Sequence, residues 1–207
     1  MLVNLTISEF LSETASVSPA PGGGSVAALA GALGAALSSM VCKLSTSKDS
    51  EATTAQIQTI ARTSQELMSS LQTGIDKDTE AFNNVMAAFK LPKANAAEQQ
   101  ARSTAIQQAM KQAADEPWRT AVSCLAVMKA AADILKTGNK NAASDAAVSG
   151  FMAYAALNGA VYNVKINLKS IKDVEYVEKM KCQSSSLLIE AEQILSDFRL
   201  LANEIIG

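Results

Sequence analysis

Residues 21–41, PGGGSVAALAGALGAALSSMV, constrain the architecture more than any other stretch of the chain. Gly22, Gly23 and Gly24 follow Pro21 and free the backbone, and Ser25 is placed to cap a helix that runs to about residue 45. Along that helix Ala27, Gly31 and Ala35 recur every fourth residue, as do Ala30 and Gly34, so much of its circumference carries almost no side chain. Other backbones can approach such a helix closely, which predicts a central position. Between Glu13 and Lys43 there is no charge, a length that could suggest a membrane span. Its apolar part, residues 26–41, holds only three Leu and two Val among Ala, Gly and Ser, which gain little from lipid. Glu9 and Glu13 also stand where a signal peptide carries positive charge. The reading is a buried helix of a soluble domain, with no membrane partner.

The flanks are helical too. Thr6 followed by Glu9 forms a capping box for a short helix ending near Ala15, and Pro19 and Pro21 hold the next turn extended. After the polar turn STSKDS, apolar residues from Ile57 through Leu71, Ile75 and Phe82 to Phe89 keep helical spacing, predicting a helix over 51–89. Pro92 closes it and Asn95 caps the next, which meets Pro117, where one backbone bond is lost and a kink or break is expected. Its second arm runs to about Lys136, with Gly138 just beyond. A helix over 143–170 and a last one opened near Asp173 complete the chain. No segment alternates with period two. The expectation is a single all-α domain over 1–207, about six mostly long helices in an orthogonal or up-down bundle. Helices this long are commonly stabilised by oligomeric packing, so a homodimer is expected.

Composition narrows function. The 207 residues carry 18 basic and 20 acidic side chains, a net charge of −2, with no basic stripe, which argues against nucleic acid as a partner. Cys42, Cys124 and Cys182 are scattered and odd in number, fitting neither a disulfide framework nor a zinc site, and a reducing cytoplasm is the simple setting. There is no histidine. The usual neutral base and the commonest metal ligand are thus missing, and no metal is expected. Carboxylates, Lys, Tyr or Cys must move any protons.

Three constellations can carry chemistry. Pro21, Gly22, Gly23, Gly24 and Ser25 bare backbone N–H groups at a helix start, where an anionic or electron-rich group could sit, although glycine turns serve plain helix crossings as often. In IDKDTEAF, Asp78 lies three residues after Ile75 and four before Phe82, both on the buried side, so its carboxyl should be drawn inward and its pKa raised. Asp76 and Glu80 suit a solvated face. In the third, GNKNAASD leads into a helix on which Asp145, Ser149, Met152, Ala156, Gly159 and Asn163 share one face, with ~27 Å between the first and last. Asn163 and Asn167 are amides in an apolar helix and need partners, whether a ligand, a loop or a neighbouring helix.

Four ordered blocks, PGGGSVAALAGALGAAL, DTEAFNNVMAAFKLPK, GNKNAASDAAV and YNVKINLKSIKD, resemble the C-terminal domain family of formiminotransferase-cyclodeaminase, across nearly the whole chain. The family includes stand-alone methenyltetrahydrofolate cyclohydrolases and formimidoyltetrahydrofolate cyclodeaminases. The resemblance implies an all-helical homodimer that binds a reduced folate and acts on its one-carbon unit. After the glycine-rich helix the family has a Gly-Lys-Lys-Tyr-like turn, whereas this chain reads STSKDSE: Lys48 keeps one cation and the tyrosine is gone. On chemical grounds Asp78 and Asp145 are expected as the acid/base and electrostatic pair. Pro21 to Ser25 and Phe82 are expected to border the pterin, Asn139, Asn141 and Asn163 to hydrogen-bond it, and Lys43 and Lys48 to meet the glutamyl tail. Cyclohydrolase is the first expectation and cyclodeaminase the second. A non-catalytic helical interaction protein is the alternative of another class, with the altered turn as its support.

Overall fold

The structure, a computed structural model, describes residues 1–45 and 51–207. Six α-helices form it: α1 (Ile7–Thr14), α2 (Gly23–Leu44), α3 (Glu51–Phe89), α4 (Ala96–Thr137), α5 (Ala143–Leu168) and α6 (Val174–Ile206). Short 3-10 turns precede α1 at Leu2–Asn4 and α5 at Lys140–Ala142. No strand occurs among the described residues. The starts follow the capping chemistry of the sequence. Thr6 and Glu9 make the reciprocal box of α1, Asn95 accepts from Glu98 N–H at α4, and Asp173 accepts from Tyr176 N–H at α6.

Helix α2 lies at the centre, against α3, α4 and α5. Its small residues explain why. A Cβ on Gly31 would lie 2.6 Å from Cys124 Sγ on α4, and one on Gly34 would lie 2.9 Å from the Ser149 carbonyl on α5. At the α5 contact Ser149 Oγ donates to the Gly34 carbonyl at 2.6 Å and shares a 2.8 Å hydrogen bond with Ser38 Oγ, so the two buried hydroxyls satisfy each other. Both neighbours run antiparallel to α2. On α3, Leu71 lies against Gly31, Gly74 against Ala28 and Ile75 against Ser25. On α5, Asn163 lies beside Gly23, Gly159 beside Ala27 and Ser149 beside Gly34. The site is thus assembled where the start of α2 meets the middle of α3 and the end of α5. α2 is the one helix among the described residues with the length and composition to cross a membrane, and 61% of its most apolar window is buried inside the protein.

Two expectations are corrected. Ser25 does not cap α2: Gly22 holds the N-cap position, and Ser25 is fully buried one turn inside. The glycines carry the chain into helical geometry early, which frees the serine for a partner on α3. Nor does Pro117 break its helix, since α4 continues from Ala96 to Thr137. Proline withdraws the N–H that the Ala113 carbonyl would accept. Asn167 Nδ2, from α5, donates to that carbonyl at 2.7 Å and fills the gap. Asn167→Ala should therefore cost about 1–3 kcal/mol in chemical denaturation, because a half-buried carbonyl loses its donor. The same change in a Pro117→Ala background should cost less, and equal losses in both backgrounds would refute the pairing.

Candidate active site

A cavity of about 330 Å³ opens at the start of α2. Its polar side is Gly22, Gly23 and Gly24, Asp78, Thr79 and Asn163, and its apolar side is Phe82 and Val85 of α3, Met110 of α4 and Ile166 of α5. An apolar slot with a few convergent polar groups is the usual form of a small-molecule site. A second groove, about 270 Å³, is lined by Leu5, Ile7, Leu11, Leu29, Leu33 and neighbouring residues. No charged side chain lines it, so it offers no carboxylate or cation for proton transfer.

Asp78 is the centre of that cavity. Its Oδ2 accepts from the Ser25 N–H at 2.9 Å and lies 3.1 Å from Ser25 Oγ, which also donates to the Ile75 carbonyl at 2.8 Å. Gly24 makes this possible: a Cβ there would lie 2.0 Å from Asp78 Oδ1, so the carboxylate occupies the space of the missing side chain. Burial pushes the Asp78 carboxyl above the ordinary aspartate range, the Ser25 hydrogen bonds resist the shift, and the charge of Glu116 on α4 adds to it. One amide N–H of Asn163 donates to the Gly159 carbonyl at 2.9 Å, which fixes the side chain beside Gly23.

Other proton carriers are poorly placed. Burial pushes the thiols of Cys42 and Cys124 up to about 11 and about 12, so neither forms a thiolate at neutral pH. Burial, with the hydrogen bond to Asp115, also raises Tyr176 well above the tyrosine range.

The model of the family described as formiminotransferase-cyclodeaminase matches residues 6–186. The chain belongs to that family.

Among the formiminotransferase-cyclodeaminase relatives, a methenyltetrahydrofolate cyclohydrolase of Methylorubrum extorquens is 40% identical over 192 residues, covering 92% of both chains. A formimidoyltransferase-cyclodeaminase of Gallus gallus is 36% identical over 193 residues, and there the match spans 93% of this chain but 36% of the longer relative. The crystal structure of a formiminotetrahydrofolate cyclodeaminase from Thermotoga maritima superposes with a TM-score of 0.88 at 27% identity, over the whole of both chains.

Within this member of the formiminotransferase-cyclodeaminase family, the expected site residues separate into two groups. Gly22, Gly23, Gly24, Asp78, Phe82 and Asn163 line the cavity. Pro21 is buried just outside the lining, and Ser25 sits behind Asp78 as its holder, not as a ligand contact. Asp145, Asn139, Asn141 and Lys43 gather at the opposite end of α2. Asn139 N–H donates to Ser45 Oγ at 2.8 Å, its Nδ2 to the Leu44 carbonyl at 3.1 Å, and its Oδ1 accepts from Asn141 N–H at 3.0 Å. Asp145 lies one turn before Ser149, at the α5 end that meets the last turns of α2. The expected pairing of Asp78 with Asp145 therefore does not occur within one chain: helical spacing is shared along a face, but ~27 Å of rise keeps its two ends apart. Lys48 lies outside the described residues.

The sequence reading passed over Glu116 and the Pro117–Asn167 contact. Glu116 pairs with Arg119 one turn on and sends its field toward Asp78. The Ala113 carbonyl, left without its helical donor by Pro117, and the Asn167 amide in an apolar helix are complementary demands, and matching them joins α4 to α5.

Proposed function

We propose that this chain hydrolyses 5,10-methenyltetrahydrofolate to 10-formyltetrahydrofolate. The 40% identity over 92% of both chains to a methenyltetrahydrofolate cyclohydrolase carries the reading. The cavity supports it chemically. A flat pterin fits the slot between Phe82, Val85, Met110 and Ile166, while the bridging amidinium carbon, cationic in this substrate, sits against the Asp78 carboxylate. Ionised Asp78 takes a proton from water as the oxygen adds to that carbon. Protonated, it returns the proton to N5 as the carbon–N5 bond breaks, while the adduct's hydroxyl releases its own proton to solvent and becomes the carbonyl of the formyl group on N10. A carboxyl raised by burial serves both directions near neutral pH, and the step needs no metal ion. Asn163 and the Gly23 and Gly24 backbone orient the ring. The three unpaired thiols suit a reducing cytoplasm as the setting.

The second reading is cyclodeamination, favoured by the Thermotoga maritima structure. There N10 attacks the formimino carbon on N5 and ammonia leaves through a closely similar tetrahedral adduct. Methenyl absorbance separates the two: it falls when the purified protein is given methenyltetrahydrofolate and rises when it is given formiminotetrahydrofolate. A faster second reaction would replace the first reading with the second.

The Asp78–Ser25 contact gives a pH test. Ser25 stabilises the ionised carboxylate, so Ser25→Ala should raise the Asp78 pKa further and move the acid limb of the kcat/KM profile to higher pH. An unmoved limb would show that another group titrates in that limb.

A further inference from the structure

Helices α3 and α4 run antiparallel along a seam made mostly of small residues. At one point Gly74 faces Thr120, whose Oγ1 would lie 3.6 Å from a Cβ on the glycine. Further along, Ala81 and Val85 pack with Ala109 and Ala113 in one buried cluster. Asp78 and Glu116 stand between these two contacts. Asp78 lies four residues after Gly74 and three before Ala81, and Glu116 lies four before Thr120 and three after Ala113. That spacing keeps both carboxylates on the faces that form the seam. A like-charge pair on a packed seam costs stability, and of the two only Asp78 lines the cavity. Glu116 stands behind it, with its side chain 18% exposed and paired to Arg119, which is 65% exposed. We infer that Glu116 is a positioning residue for the reaction: its charge acts on Asp78 across the seam, and Arg119 grades how strongly.

The surrounding charges support the assignment. Burial is the main reason the Asp78 carboxyl is raised, Ser25 opposes the rise, and the Glu116 charge adds to it. Arg119 lies mostly in water, so its cation is screened and trims the Glu116 field without cancelling it. Other charged groups near Asp78 are engaged elsewhere or solvated. On α3, Asp76 accepts from the Leu2 N–H, while Lys77 and Glu80 are exposed. On α4, Asp115 accepts from the Tyr176 hydroxyl of α6 at 2.7 Å, and Lys111 pairs with Asp173 at 2.6 Å. α2 and α5 face the cavity with Gly22 to Gly24, Asn163 and Asn167, none of which ionises. Asp78 is therefore bracketed. Ser25 on one side favours its ionised form, and Glu116 on the other favours its protonated form. A carboxyl that takes a proton from water and then returns it needs both forms within reach. That use rests on the folate reading, whereas the seam does not.

The test is a set of pH profiles. Glu116→Gln keeps the shape and removes the charge, so the acid limb of kcat/KM should move to lower pH. On that limb the variant should gain roughly two- to fivefold, the size of one screened charge–charge interaction, while the plateau falls about twofold. A merely structural loss would lower the rate at every pH instead. Arg119→Met should move the limb to higher pH, and in the Glu116→Gln background it should leave the limb where it is. An unmoved limb in Glu116→Gln, or an Arg119→Met shift that survives without Glu116, overturns the assignment. Carbon-13 NMR of the Asp78 carboxyl, identified by its absence in Asp78→Asn, reads the same shifts with no substrate present. A wild type inactive on folates whose Asp78 midpoint still falls in Glu116→Gln would sink the folate reading and keep the action across the seam. Equal midpoints in the two proteins would sink the action across the seam itself.

Discussion

Asp78→Asn should lower kcat on methenyltetrahydrofolate on the order of 10³-fold, with KM changed far less, since the position supplies proton transfer more than binding. The amide keeps an oxygen to accept from the Ser25 N–H, so the protein should remain folded. Its stability should respond to pH in a defined way. A carboxyl raised on folding holds its proton more tightly in the native state than in the unfolded chain. Its contribution is fully present below the ordinary aspartate pKa and is lost as pH rises through the raised value. Wild type should therefore lose melting temperature with rising pH over that window, and the variant should lose less. Full activity in Asp78→Asn would remove the residue from the mechanism. Equal pH slopes in the two proteins would show that the carboxyl is not held in the protonated form by burial.

Gly24→Ala should abolish most turnover through geometry alone. The new methyl would claim the space 2.0 Å from Asp78 Oδ1 and 2.5 Å from its Cγ, so the carboxylate must leave. A displacement near 1 Å costs about 10²-fold in a positioned reaction. Stability should move much less: overpacking of about 1–3 kcal/mol is partly offset by the roughly 1 kcal/mol that alanine gains over glycine in a helix. Gly74→Ala on α3 is the contrasting case. Its Cβ would meet nothing nearer than 3.6 Å, so it should stabilise the protein and leave the rate alone. Kinetics and melts on both variants check this. A Gly24→Ala enzyme with wild-type kcat would mean that Asp78 does not need its seat against α2.

How much of this was readable beforehand follows from the range of each signal. Caps act within one turn, and Thr6, Asn95 and Asp173 all start helices where the residues indicate. Small residues at fourfold spacing announce a helix that others crowd against, and α2 is that helix. Asp78 was legible because Ile75 and Phe82 define the buried side of one helix. The pairing with Asp145 was not, because shared helical phase says which way residues point and nothing about which end meets what. Ser25 was misread for a related reason: a serine before an apolar run scores as a cap, and only the tertiary neighbour on α3 reveals that its hydroxyl has other work.

The Gly31 and Gly34 contacts also set how this protein can change. Gly34 meets the α5 backbone and Gly31 meets the Cys124 and Leu71 side chains, so at the glycines themselves there is no side chain to delete and harm comes from insertion. Substitution tolerance at these positions should be one-sided: even alanine would press on Cys124 Sγ at Gly31 or on the Ser149 carbonyl at Gly34, and any larger replacement must push the helices further apart. Drift through such an interior is confined to the smallest members of the alphabet, while the longer side chains beyond it remain free to vary.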